Sequence, residues 1–263
     1  MDAMSSIEQG KVIDLNGLRW VHRFGWLRPQ ELAWLLWPSQ PLRTKNCERI
    51  VRRWLRDGLV LARPLPDHCG RALVLAAAGA RILNDNYWHA SSGKDIGTLT
   101  EGRWLPPTTW RHDLKAAGVL VRLHAAGWTI YPEREVLAKT EPGLKKMLDG
   151  LAKKGDRALW IEVENARKSG PHLAKLARTA LQVVRGDGPT LLGQIKPREV
   201  LFAYDPAAQD ENGYQIAHKA NILGELGKNA AREANFWFAA LEMAGAGVAG
   251  YKTEQVTVRQ GVK

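Results

Sequence analysis

Cysteine is nearly absent from this chain. Cys47 and Cys69 are the two in 263 residues, and their spacing matches neither a zinc motif nor a redox pair. Long apolar runs are missing as well. The longest, Ala72 to Ala80, is mostly alanine and glycine, against the roughly 20 apolar residues that a membrane helix needs. Lys11, Asp14 and Arg19 interrupt any early apolar segment, so no signal peptide is expected and the chain reads as cytoplasmic. Acid is scarce: 27 Asp and Glu stand against 38 Lys and Arg, a net charge of +11. That excess favours polyanionic partners, nucleic acid before an anionic membrane. The seven histidines are scattered and the first tyrosine is Tyr87. A His-cluster metal site with an N-terminal nucleophilic tyrosine therefore has no support, and Ser/His/Asp or Cys/His triads have no local signature. What is abundant is tryptophan, eleven residues, most of them expected to pack in cores.

The first part of the chain reads as three helices and a hairpin. Residues 1–10 are polar and expected to be loose. Leu15 to Phe24 is a first helix. A second starts at Arg28-Pro29, where proline's missing N–H does no harm, and stops at Pro38. The third, Leu42 to Asp57, has Cys47, Ile50, Val51, Trp54 and Leu55 on an inner stripe at helical spacing. Arg43, Lys45, Arg49, Arg52, Arg53 and Arg56 occupy the rest, and Gly58 ends it. Strands at Leu59–Arg63 and Ala72–Leu75 follow, then a short helix. Helix, helix, basic helix and hairpin is the winged helix-turn-helix arrangement, in which the third helix enters the major groove of double-stranded DNA. The plainer reading is a solvated basic face on a packing helix. We assign residues 12–90 to this domain.

Residues 91–107 read as a linker, rich in Ser and Gly and closed by Pro106-Pro107. Residues 108–263 form a second, α/β domain. A helix is expected over Trp110–Ala126, a strand over Trp128–Val136 carrying Glu133 and Glu135, and strands over Lys145–Leu151 and Ala158–Glu164. A helix over Pro171–Val184 and a buried strand over Glu199–Tyr204 complete an α-β-β-β-α-β order. A long Ala-rich helix from about Gln215 to Ala244 and a last strand over Lys252–Val258 are appended. That helix would cover the sheet by default, or else form a homodimer contact.

The chemistry gathers on the third of those strands. Leu159, Ile161 and Val163 point one way, and Trp160, Glu162 and Glu164 the other. Two carboxylates on one strand face raise each other's pKa unless a cation lies near. A hairpin through the Lys153–Asp156 turn would bring Asp149 beside Glu162. Three carboxylates facing one point suit a hard divalent ion, Mg²⁺ or Mn²⁺. A solvent-facing row of charge is the ordinary alternative, but this strand should be central.

Asp on the second strand and Glu-x-Glu on the third, in that element order, resembles the PD-(D/E)XK restriction-endonuclease-like core. The resemblance implies that Asp149 and Glu162 hold the metal, which activates water against a phosphodiester. Glu164 stands where lysine is usual, and Lys168 is placed to supply the missing cation. Asp113 or Glu135 would add a further acid. With the hairpin ending at Arg71–Arg81 and the His112-Asp113-Leu114 helix start, the chain from Leu15 to Val184 also resembles the replication-relaxation family and MobC-type relaxases. That family implies binding at an origin of transfer of a plasmid or integrative element and nicking of one strand, alongside other transfer or replication proteins. His112 would then contact metal or phosphate, or else cap its helix together with Asp113. Two other readings remain: an inactive accessory factor or repressor that only binds DNA, and a regulator whose second domain encloses an effector in an apolar pocket. A role at a membrane surface is not expected, because the basic residues share a helix with a packing stripe.

Overall fold

The computed structural model describes residues 5–139, 148–168 and 170–259. The chain is mixed α/β and divides into two compact units. The first unit runs to Trp110 and includes His124–Ala126; the second takes Arg111–Leu123 and the chain from Gly127 onward.

The first unit contains α1 (Ser6–Phe24), β1 (Trp26–Leu27), α2 (Pro29–Leu36), α3 (Arg43–Arg56), β2 (Val60–Pro64), β3 (Arg71–Leu75) and α4 (Ala77–Asn84). Its strands pair in the antiparallel order β1-β3-β2. The first helix begins nine residues before the expected start, in the stretch read as loose. The reason is a capping box: Ser5 Oγ accepts from the Glu8 amide at 3.3 Å, and Glu8 Oε2 accepts from the Ser5 amide at 2.8 Å. Two of the orphan N–H groups at the helix start are thereby satisfied. Helix α3 buries Cys47, Ile50, Val51 and Trp54, and Gly58 follows with φ +65°. Gly17 of α1 lies over Trp54. A Cβ at that glycine would sit 2.3 Å from the indole ring, so the close approach of α1 to α3 requires glycine. The Trp54 indole N–H donates to Asp14 at 2.9 Å. Burial of Cys47 pushes its thiol up to about 12, so it packs as a small hydrophobe. Later in this unit, the stretch read as a linker carries a hairpin, β4 (Thr98–Thr100) and β5 (Arg103–Leu105).

The second unit is built on a six-stranded sheet. Its elements are α5 (Trp110–Ala125, contributing Arg111–Leu123), β6 (Thr129–Pro132), α6 (Glu133–Lys139), β7 (Gly150–Lys154), β8 (Arg157–Glu164), α7 (Gly170–Arg185), β9 (Glu199–Tyr204), α8 (His218–Asn229), β10 (Ala234–Ala244) and β11 (Gly247–Val258). The strand order is β11-β10-β9-β8-β7-β6. Strands β8, β9 and β10 run parallel, and the other pairs are antiparallel. Parallel neighbours need a crossover, and α7 and α8 provide the two. Trp160, Val200, Phe202, Phe236 and Phe238 form one cluster with Ala177, Ala180 and Leu181 of α7 and Ile222 and Leu226 of α8. Helix α8 thus covers the sheet.

Three expectations are corrected here. The strand expected to 136 stops at Pro132, and Glu133 and Glu135 open α6 instead. Proline ends the ladder by lacking an N–H, and acids suit a helix N-terminus. The long helix to Ala244 ends at Asn229, and 234–244 is a strand. Phe236 and Phe238, two apart, are both fully buried, the period of a strand and not of a helix. Strand β11 starts at Gly247, earlier than expected, because it pairs with β10 along nearly its whole length through a turn at Gly245, φ +58°. Of the strand expected over Lys145–Leu151, residues 145–147 lie outside the described residues, and pairing starts at Gly150.

Candidate functional site

Strand β8 outruns β7. The ladder between them begins at Gly150↔Ile161, which leaves the β7-facing backbone groups of Val163 without a strand partner. Asp149 and His112 take that place. Asp149 Oδ2 accepts from the Val163 amide at 2.7 Å, and His112 Nε2 lies 3.2 Å from both the Val163 carbonyl oxygen and Asp149 Oδ2. The Asp149 amide also donates to the Ile161 carbonyl at 2.9 Å. The Asp149 carboxylate is therefore fixed alongside Glu162–Glu164 at the end of the central strand. Gly150 follows because Leu120 of α5 presses there, its methyl carbons 2.9 Å from where a Cβ would stand.

Glu162 and Glu164 follow Trp160 at period two, so they face the α7–α8 layer. They are buried, 7% and 2% exposed, as is Asp149 at 7%. The solvent-facing row of charge is excluded. The Trp160 indole donates to Glu162 Oε1 at 2.7 Å. Lys168, in the segment before α7, reaches back to Glu164 Oε1 at 2.5 Å. Burial and the neighbouring Asp149 raise the Glu162 carboxyl well above the usual carboxylate range, with Trp160 and Lys168 opposing. Burial raises Glu164 too, and Lys168 opposes it. The cluster carries more buried negative charge than its own cations balance, the condition in which a carboxyl keeps its proton or gains a cation.

Among the described residues, no three His, Cys, Asp or Glu side chains converge on one metal position. A complete protein cage, as Ca²⁺ prefers, is therefore not formed. Mg²⁺ needs less: it keeps several waters and is commonly held by one or two carboxylates together with substrate phosphate. Asp149 and Glu162, an all-oxygen pair close enough to act on one another, fit that requirement. Glu135 does not project from a strand; it lies in the first turn of α6 and pairs with Lys139 at 2.8 Å. Asp113 lies in the first turn of α5, its Oδ1 3.6 Å from His112 Nδ1. Four residues at this end of the sheet were not singled out from the sequence as site residues: Trp160, and the group formed by Lys115, Asp205 and His218. Trp160 was legible as the i−2 neighbour of Glu162; the others come from separate elements with no shared motif.

The basic residues of α3 divide into two kinds. Arg53 is held by Asp14 in an ion pair, and Arg43 stacks on Trp34 with 3.5 Å between guanidinium and ring. Lys45, Arg49, Arg52 and Arg56 are exposed, with Arg56 in a surface pair with Asp57 at 3.0 Å. A groove of about 870 Å³ runs between α1 and α3, lined by Arg49, Arg52, Arg53 and Arg56 with Trp37 and Asn46.

Among the described residues no helix is long and apolar enough to cross a membrane. Comparisons with family models, with characterised proteins and with solved structures returned no match, so the functional reading rests on this chain's own residues.

Proposed function

We propose that the protein binds DNA through its first unit and cuts one strand with its second, as a Mg²⁺- or Mn²⁺-dependent endonuclease acting at a transfer origin. The observation that carries this is the buried Asp149–Glu162 pair at the end of the central strand. Buried carboxylates whose pKa is strongly raised cluster at functional sites. Support also comes from the order α5-β6-α6-β7-β8-α7-β9 with β8 and β9 parallel, which is that of the PD-(D/E)XK core apart from the short α6 inserted between its first two strands. In the first unit, α2, α3 and the β2–β3 hairpin follow the winged-helix order, with exposed arginines on α3. The transfer origin as target rests on the sequence resemblance to replication-relaxation proteins.

In this reading Asp149 and Glu162 would hold the cation beside a phosphate of the strand. The bound ion would supply an activated water and charge stabilisation at the phosphate. Lys168 takes the part of the lysine that Glu164 displaces: its ammonium, anchored on Glu164, lies close enough to Glu162 to lower its pKa. His112 Nε2, 3.2 Å from Asp149 Oδ2, would help hold that carboxylate in place. The test is nicking of supercoiled origin DNA by the purified protein with Mg²⁺. Asp149→Asn removes the charge and keeps an acceptor for the Val163 amide. The reading predicts that wild type nicks and Asp149→Asn does not; equal nicking by both would end it.

One observation favours a second reading, an inactive DNA-binding accessory factor. Each of the three carboxylates already has a polar partner within the chain. That reading predicts tight DNA binding with no Mg²⁺-dependent nicking by any form of the protein.

A further inference from the structure

His218 is the first residue of α8 and is 5% exposed, and its Nε2 is buried without a hydrogen-bond partner among the described residues. A buried polar atom left unpaired is costly to the fold, and such atoms call for a specific explanation, a missing ligand among them. The groups around it come from three other elements. Lys115 of α5 and Lys168 before α7 act on the imidazole with positive charge, and Asp205, after β9, acts with negative charge. Burial first, then Lys115 and Lys168, hold the ring's pKa below the ordinary value, so it is neutral near pH 7 with one N–H to give. Lys115 is itself buried, 8% exposed, and is fixed by Asp205 at 3.1 Å. Lys115 is paired with Asp205 and Lys168 with Glu164, so the imidazole N–H at the helix N-terminus is the donor left over, and a donor at that place suits an anion.

The cluster stands where β8 and β9 end side by side, the edge at which parallel sheets place their ligands. An open pocket of about 530 Å³ shares Lys168 with the cluster and is lined also by Asn165, Arg167, Gln209, Asp210, Glu211 and Asn212. Arg167 leans toward Asp210 at 3.9 Å. Lys168 belongs to both places: it lines the pocket, and its charge reaches His218 and Glu162 alike.

We propose that Lys115, Lys168 and His218 hold a phosphodiester of the nucleic-acid strand beside the carboxylate pair, an assignment that rests on the nuclease reading above. His218 donates from Nε2 to a non-bridging oxygen, and the ammonium groups of Lys115 and Lys168, each shared with its carboxylate, lie beside it. Asp205 keeps Lys115 extended toward the ring. His218 is a phosphate-contacting residue in this account; it takes no proton from the reaction.

The test uses the full-length protein with ¹⁵N-labelled histidine, in EDTA so that no cleavage occurs. The probe is a thymidine dinucleotide carrying a single phosphodiester, too short to span the arginine helix. The His218 signal is identified by its loss in His218→Asn. The expected result is a saturable shift of the His218 Nε2 resonance, with dinucleotide affinity falling about tenfold in His218→Asn, as loss of one charge-assisted hydrogen bond implies. A stationary His218 resonance, or equal affinity in wild type and His218→Asn, overturns the proposal. So does inorganic phosphate that binds as tightly as the dinucleotide, since the site would then select the free ion. Should wild type fail to nick DNA while His218 still shifts, the nuclease reading falls and the phosphodiester site stands. Should wild type nick while His218 stays still, the reverse holds.

Discussion

The two units handle charge in opposite ways. On α3 of the first unit, Lys45, Arg49, Arg52 and Arg56 are exposed and the packing stripe lies beneath them. Their charge is solvated, so the fold loses little by carrying it, and a polyanion that binds there gains by releasing counterions. On β8 of the second unit, Glu162 and Glu164 are buried against Asp149. That charge is desolvated and self-repelling, and it destabilises the fold until a proton or a cation neutralises it. One surface carries its charge at little structural cost, whereas the other is strained until its charge is neutralised.

The largest expected effect separates the two units by activity. Asp149→Asn should cut Mg²⁺-dependent nicking by about 10²–10³-fold, a typical loss for one group that stabilises transition-state charge. Its DNA affinity in EDTA, measured by fluorescence anisotropy, should not fall. The converse variant, Arg49→Ala with Arg52→Ala, should weaken DNA binding by about tenfold or more at moderate salt. Its log–log salt slope should shrink by about one for each phosphate left without its arginine. An unchanged slope would reduce the arginine face to ordinary solvated charge.

Packing gives the third contrast. Gly17→Val should destabilise the first unit by about 1–3 kcal/mol in urea unfolding, because the side chain must displace Trp54. The Mg²⁺ response of the second unit should be untouched.

The smallest effect is a pH slope. In the folded protein Glu162 holds its proton well above the ordinary 4.5. Between 4.5 and that raised value the native state binds more protons than the unfolded state, so stability falls as pH rises. The contribution is fully present below 4.5 and is lost as pH climbs through the folded value. Thermal unfolding should show this decline, and Glu162→Gln should flatten it while raising stability near neutral pH by about 1–2 kcal/mol. A variant as pH-sensitive as wild type would assign the slope to other groups.

Much of the fold was legible because its signals are local. The α3 stripe, the Gly58 stop, the β2–β3 hairpin and β9 follow from period, caps and turn residues read within a few positions. The site was legible in part for the same reason: Trp160, Glu162 and Glu164 share a face by strand period alone, and the short β7–β8 turn set Asp149 across from them. What failed was non-local or compositional. The alanines around 230–244 favoured a helix, yet burial of Phe236 and Phe238 beneath α7 and α8 decided for a strand. Pro132 ended β6 early and put Glu135 on a helix. Asp205 meets Lys115 from 90 residues further along the chain, His218 comes from further still, and no spacing rule announces such a meeting.

The central claim is that the buried carboxylate pair is a cation site. It is tested most directly by thermal unfolding at neutral pH with and without Mg²⁺, for wild type and Glu162→Gln. The account predicts that Mg²⁺ raises the unfolding temperature of wild type, with half-saturation shifting to lower concentration as pH rises and the competing proton leaves. It predicts that Glu162→Gln starts higher and gains nothing. An equal rise in both proteins, or none in wild type across millimolar Mg²⁺, would contradict it.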